Sequence, residues 1–66
     1  METIQLTTRE MEILQLIAAE FTSKEIADKL SVSMATIESH RRNMIKKCDV
    51  RNSIGIVKIA IENNWI

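Results

Sequence analysis

The same helix-start signal recurs three times between residues 7 and 33. Thr7 is followed three residues later by Glu10, and Thr22 by Glu25. At that spacing the hydroxyl accepts from the acid's backbone N–H, while the carboxylate reaches back to the free N–H of the capping residue. Leu6 and Met11 bracket the first box, and Phe21 and Ile26 the second, in the positions of a hydrophobic staple. Ser33, bracketed by Val32 and Ile37, is a third start in which Thr36 stands in place of the acid. Starts this closely spaced leave room only for short helices and tight turns, and they predict helices over about 8–19, 23–30 and 34–48. A fourth is expected from Asn52 or Ser53 to about Asn63, with Asn64 as a left-handed terminator and Trp65 and Ile66 folding back on the core. Gly55, inside it, costs roughly 1 kcal/mol against alanine.

No strand-like alternation competes with these helices, and Ala, Leu, Met, Glu and Lys, all good helix formers, are prominent. The expected fold is all-α, a compact four-helix domain spanning residues 1–66. With 66 residues, no proline and one glycine, the chain offers no linker and no second domain. Apolar stripes mark the faces expected to share a core: Leu14, Ile17, Ala18 and Phe21; Ile26, Ala27 and Leu30; Val57, Ala60 and Ile61. Helices 2 and 3 are separated by Ser31, Val32 and Ser33 alone, too short a connection to lay them side by side. That layout is a helix-turn-helix.

The formal net charge of zero conceals a segregation. Residues 1–39 hold seven acids against three bases, whereas residues 40–51 hold Arg41, Arg42, Lys46, Lys47 and Arg51 against Asp49 alone. An anionic partner is therefore compatible with neutrality, because the local field decides. On helix 3, Ile37, Met44 and Cys48 fall within about 40° of one line, with Arg41 on the flank. Ala35, Glu38, Ser39, Arg42 and Lys46 cluster opposite, and Asn43 lies at the edge. Small residues allow a backbone to approach a DNA major groove, Arg pairs bidentately with guanine, and a carboxylate accepts from cytosine N4. The flanking bases Arg41, Lys46, Lys47 and Arg51 lie where phosphates would run. The bland alternative is a solvated basic helix surface.

The stretch "LTTREMEILQLIAAEFTSKEIADKLSVSMATIESHRRNMIKKC" resembles the LuxR/FixJ-type (GerE-like) helix-turn-helix DNA-binding domain of bacterial transcription regulators. The likeness follows L-T-x-R-E-x-E-[IV]-L, [SN]-K-E-I-A-x-x-L-x-[IV]-S-x-x-T-[IV] and H-x-x-N-[IM]-x-x-K, continues through Val57 and Ala60, and runs from Leu6 to Ile66. The resemblance implies that helix 3 enters the major groove, that helix 2 crosses the backbone and that helix 4 supplies a two-fold dimer contact. Carried over by position, Glu38, Ser39 and Arg42 would touch bases, and Lys24, Thr36, Arg41, Lys46 and Lys47 phosphates. The helical wheel reaches the same base-facing positions independently. Departures from the pattern are Glu20 and Asn64 for a common Gly, Ser23 for Asn, Cys48 for Leu, and Glu38 where many members have Lys. An αL Glu20 would cost roughly 1 kcal/mol. Glu38, which repels phosphate, must read a donor or orient Arg42.

Helix 4 carries more apolar residues than one buried face needs, and Ile54, Lys58 and Ile61 form the expected dimer contact. The functional expectation is a response-regulator effector domain that binds double-stranded DNA as a weak homodimer, with half-sites about 10 base pairs apart. A receiver or sensor domain preceding the motif, outside this chain, is an expected partner. The alternative is a protein-interaction module that docks an acidic partner through the basic helix. Neither catalysis nor a cofactor is expected, since no phosphate loop, nucleophile elbow or zinc spacing occurs. Glu10 and Glu12 point about 200° apart and are no acid/base pair. Arg9 is expected in a structural pair, His40 in a structural role rather than at a metal, and Cys48 in the core. A lone cysteine and the lack of an apolar span suggest the cytoplasm.

Overall fold

Each helix start is built as the capping signals require. In the computed structural model, which describes residues 4–66 and so leaves Glu2 outside the described residues, Glu10 N donates to Thr7 Oγ1 at 3.0 Å and Thr7 N to Glu10 Oε1 at 2.9 Å. Thr22 and Glu25 repeat this reciprocal pair at 3.2 and 2.8 Å. Ser33 Oγ accepts from Thr36 N at 3.1 Å, and Asn52 Oδ1 from Gly55 N at 3.2 Å. These caps open α1 (Thr8–Ala18), α2 (Ser23–Leu30), α3 (Met34–Cys48) and α4 (Ser53–Glu62). No strand occurs among the described residues. The ends of α1 and α4 fall one residue short of the sequence expectation, a difference on the scale of helix fraying.

All four helices also end alike. Phe21 N donates to Leu16 O, Val32 N to Ala27 O, Val50 N to Ile45 O and Trp65 N to Ala60 O, at 2.8–3.2 Å. Each bond runs from a residue back to the one five positions earlier and closes a Schellman motif around a left-handed residue: Glu20, Ser31, Asp49 and Asn64, with φ of 70°, 58°, 54° and 58°. None is glycine. Glu20 and Asn64 fulfil the sequence expectation, whereas Ser31 and Asp49 were not foreseen. Phe21, Val32, Val50 and Trp65, which follow them, pack against the core. Phe21 and Val32 also precede the next cap, so both α1–α2 and α2–α3 turn through the same succession of left-handed residue, apolar anchor and capping hydroxyl.

The core is shared by all four helices. Ile13, Leu14, Ile26, Ile37, Met44 and Ile56 are fully buried, with Ala27, Cys48 and Ala60 filling between them. Two stripes differ from expectation. On α1 the buried centre includes Ile13, and Ile17, Ala18 and Phe21 are half-buried, because α1 packs against α2, α3 and α4 and needs a wider apolar face. On α4 the buried pair is Ile56 and Ala60, while Ile61 is 60% exposed. Among the other helices, α4 touches only α1 and α3, so an i, i+4 stripe satisfies it. Trp65 packs on the core as expected, but Ile66 stays exposed. Gly55 has a packing reason: a Cβ there would lie 2.7 Å from Val50 Cβ. Among the described residues, no helix is long and apolar enough to cross a membrane.

Candidate nucleic-acid interface

Helix α3 packs between α2 and α4 and also contacts α1. That leaves one flank uncovered. Ile37, Met44 and Cys48 point inward, and Ala35, Ser39, Arg42, Asn43 and Lys46 are exposed along the outer side. The helix end nearer the turn is lined by small side chains and the far end by bases. An open depression bounded by Arg42, Ile45, Lys46, Asp49 and Val50 continues this surface past the end of the helix. Lys24, one residue inside α2, is exposed beside the turn.

The side chains singled out in sequence separate into free and engaged groups. Ser39, Arg42, Lys24 and Lys46 stand in solvent, and neither Arg42 nor the two lysines enters an ion pair among the described residues. Thr36 is exposed, its hydroxyl 3.0 Å from that of Ser33. Glu38 is half-buried and accepts a hydrogen bond from the Ser23 hydroxyl across the α2–α3 junction. Its orienting partner is thus Ser23, not Arg42. Arg41 is half-buried, its Nη2 donating to Ser53 Oγ at 2.5 Å in the first turn of α4. Lys47 Nζ lies 2.8 Å from Glu10 Oε1, binding the end of α3 to the start of α1. Arg41 and Lys47 therefore keep only the donors left over from these bonds for any further partner.

Glu10, at 3% exposure, is the one buried charged residue among the described residues. Burial pushes its carboxyl upward, but the Lys47 ammonium, the Thr7 N–H and the nearby His40 outweigh this and leave it below the ordinary carboxylate value. Burial, reinforced by the charge of Glu10 against the opposing Lys47, raises the Cys48 thiol, so the lone cysteine is a protonated core residue. Arg9 lies 3.9 Å from Glu12 on the exposed side of α1. On α4, Ile54 is 79% and Ile61 60% exposed with Lys58 between them, three positions that spacing puts on one face. Sequence reading missed the Glu10–Lys47 and Arg41–Ser53 pairs. Each joins residues distant in the chain, and no local pattern announces them.

Two short capped helices, a three-residue turn and an outward second helix with free basic and small polar side chains define a helix-turn-helix domain. Residues 4–60 match the bacterial regulatory proteins of the luxR family, and the chain belongs to that family. It is 54% identical over 57 residues to the uncharacterized response regulatory protein YgeK of Escherichia coli (strain K12), covering 86% of this chain and 39% of that protein. To the oxygen regulatory protein NreC of Staphylococcus haemolyticus it is 40% identical over 61 residues, 92% of this chain and 28% of the other. Among solved structures, Escherichia coli SdiA superposes with a TM-score of 0.92 at 35% identity, over all of this chain and 28% of that one. The transcription factor GerE superposes at 0.88 and 28% identity, over 97% of this chain and 94% of GerE. The chain thus spans well under half the length of these two curated relatives.

Proposed function

We propose that residues 1–66 act as one sequence-specific DNA-binding domain of a transcription regulator, with α3 in the major groove of a duplex. The observation that carries this reading is the uncovered flank of α3. Ala35 and Ser39 let the backbone approach, Arg42 enters no ion pair among the described residues, and Lys46 follows one turn later. In that pose Glu38, Ser39 and Arg42 meet base edges, with the guanidinium suited to guanine O6 and N7. Lys24, Thr36 and Lys46 meet phosphates, joined by the spare donors of Arg41 and Lys47. Ile54, Lys58 and Ile61 supply a small two-fold contact between copies on DNA, and the regulator works in the cytoplasm. A receiver or sensor domain outside this chain controls it, a reading supported by the likeness to a protein described as a response regulatory protein.

A titration of a labelled random-sequence duplex at about 50 and 200 mM salt tests the reading. Each neutralised phosphate contributes a log–log slope near −0.9, so several contacts make binding fall steeply with salt. No salt-dependent binding to duplex, together with binding to an acidic protein surface, would assign the basic face of α3 to a protein partner instead.

A further inference from the structure

We infer that Ser23 is a specificity-determining positioning residue: it holds Glu38 so that one carboxylate oxygen is aimed at cytosine N4 in each half-site. The inference rests on the DNA-reading proposal above and identifies a base that this surface selects. Ser23 opens α2 immediately after the Thr22 cap, and its hydroxyl donates across the junction to Glu38 Oε2. Both residues are half-buried, whereas Ser39 and Arg42 beside them are exposed. Glu38 is thus the one base-facing group whose orientation is set before DNA arrives.

The chemistry follows from what the bond leaves free. A carboxylate has two oxygens and only accepts. With Oε2 committed to a neutral hydroxyl, Oε1 keeps its lone pairs and the group keeps its negative charge. Among base edges in the major groove, a fixed anionic acceptor suits an exocyclic amino group and rejects guanine, whose N7 and O6 are both acceptors. It prefers cytosine N4 to adenine N6, because adenine's N7 is an acceptor beside the donor and repels the carboxylate. The same charge opposes phosphate, so Glu38 weakens binding to DNA that offers no amino group there. A swinging carboxylate would fold back toward Arg42, four residues on, and blunt both readers. Anchoring from α2 keeps the two apart, and among the described residues Glu38 and Arg42 form no ion pair.

The test is a selection of randomised duplexes by the wild-type domain, followed by competition binding with all four bases at the position whose preference Glu38→Ala abolishes. Wild type should favour cytosine there by about tenfold or more, the range of one good base contact. Ser23→Ala should reduce that preference below about threefold. Ser23→Thr, which keeps the hydroxyl, should restore the preference, and Ser23→Ala should change nothing further in a Glu38→Ala background. Without DNA, a urea double-mutant cycle on Ser23 and Glu38 should show coupling of about fivefold in the unfolding constant, one hydrogen bond's worth. Unchanged cytosine preference in folded Ser23→Ala, equal weakening on every sequence, or no coupling overturns the inference while leaving DNA reading intact. Failure of wild type to bind any duplex in a salt-dependent way overturns both.

Discussion

Lys46 and Lys47 are chain neighbours with opposite circumstances, and replacing each by methionine separates them. Lys47 Nζ lies 2.8 Å from Glu10 Oε1, with the lysine side chain 39% exposed and the glutamate 4%. Breaking a fully buried pair costs about 3–5 kcal/mol, and an exposed pair about 0–1 kcal/mol. A buried acid facing a half-solvated base lies between, and solvent screening of Lys47 argues for about 1–2 kcal/mol. In a domain this small each kcal/mol moves the midpoint by roughly 4–8 °C. Lys47→Met should therefore melt about 5–15 °C below wild type by circular dichroism, whereas Lys46→Met should stay within about 0.5 kcal/mol. The loss should also depend on pH. Because Glu10 lies below its ordinary value in the folded chain, its ionised form stabilises the fold above that value, and this is lost as pH falls through the folded pKa. Without Lys47, burial instead favours the protonated acid, so the variant and wild type should converge in acid. An equal melting temperature for Lys47→Met and wild type at neutral pH, or a gap that widens on acidification, would refute the reasoning.

Three further variants have determined outcomes. Glu20→Gly should stabilise by about 0.5–1 kcal/mol, since it relieves a left-handed φ of 70° at a cost in unfolded-state entropy; urea unfolding reads it. Gly55→Ala should destabilise despite alanine's better helix propensity, because its Cβ would meet Val50 Cβ at 2.7 Å and overpacking of about 1–3 kcal/mol outweighs a gain of about 1. Ile54→Asp with Ile61→Asp should leave stability within about 0.5 kcal/mol, given exposures of 79% and 60%. The pair should nevertheless abolish cooperative binding of two copies to a duplex with two half-sites in a gel-shift titration. Undiminished cooperativity would remove α4 from the dimer proposal.

Local physics made the helices legible. Thr7–Glu10 and Thr22–Glu25 are reciprocal contacts between residues three apart, and a spacing of three can be read directly. The Ser31–Val32–Ser33 turn was equally plain, being too short to permit another geometry. Less was visible at the helix ends, because Ser31 and Asp49 adopt left-handed conformations without the glycine that signals one. The α4 face was misjudged at Ile61 because an amphipathic reading cannot say which of two apolar stripes a helix buries; the absence of α2 from its neighbours decides it. At the candidate interface the wheel separated Ile37, Met44 and Cys48 from the outer residues of α3, and burial agrees except at Glu38, which is half-buried. It could not divide the bases into free and engaged. Arg41 meets Ser53 and Lys47 meets Glu10 only once the tertiary fold exists. Ser23 and Glu38 each stood out as departures from the common pattern, yet their contact also needed the fold.

The most direct test follows backbone and side-chain NMR signals while an unlabelled duplex is titrated in. If α3 is the reading head, the largest shifts should fall on Ala35, Ser39, Arg42 and Lys46, with Lys24 following at the turn. The exposed side of α1 around Arg9 and Glu12 should be unmoved. Shifts concentrated on α1, or spread evenly with no change on the outer side of α3, would contradict the account.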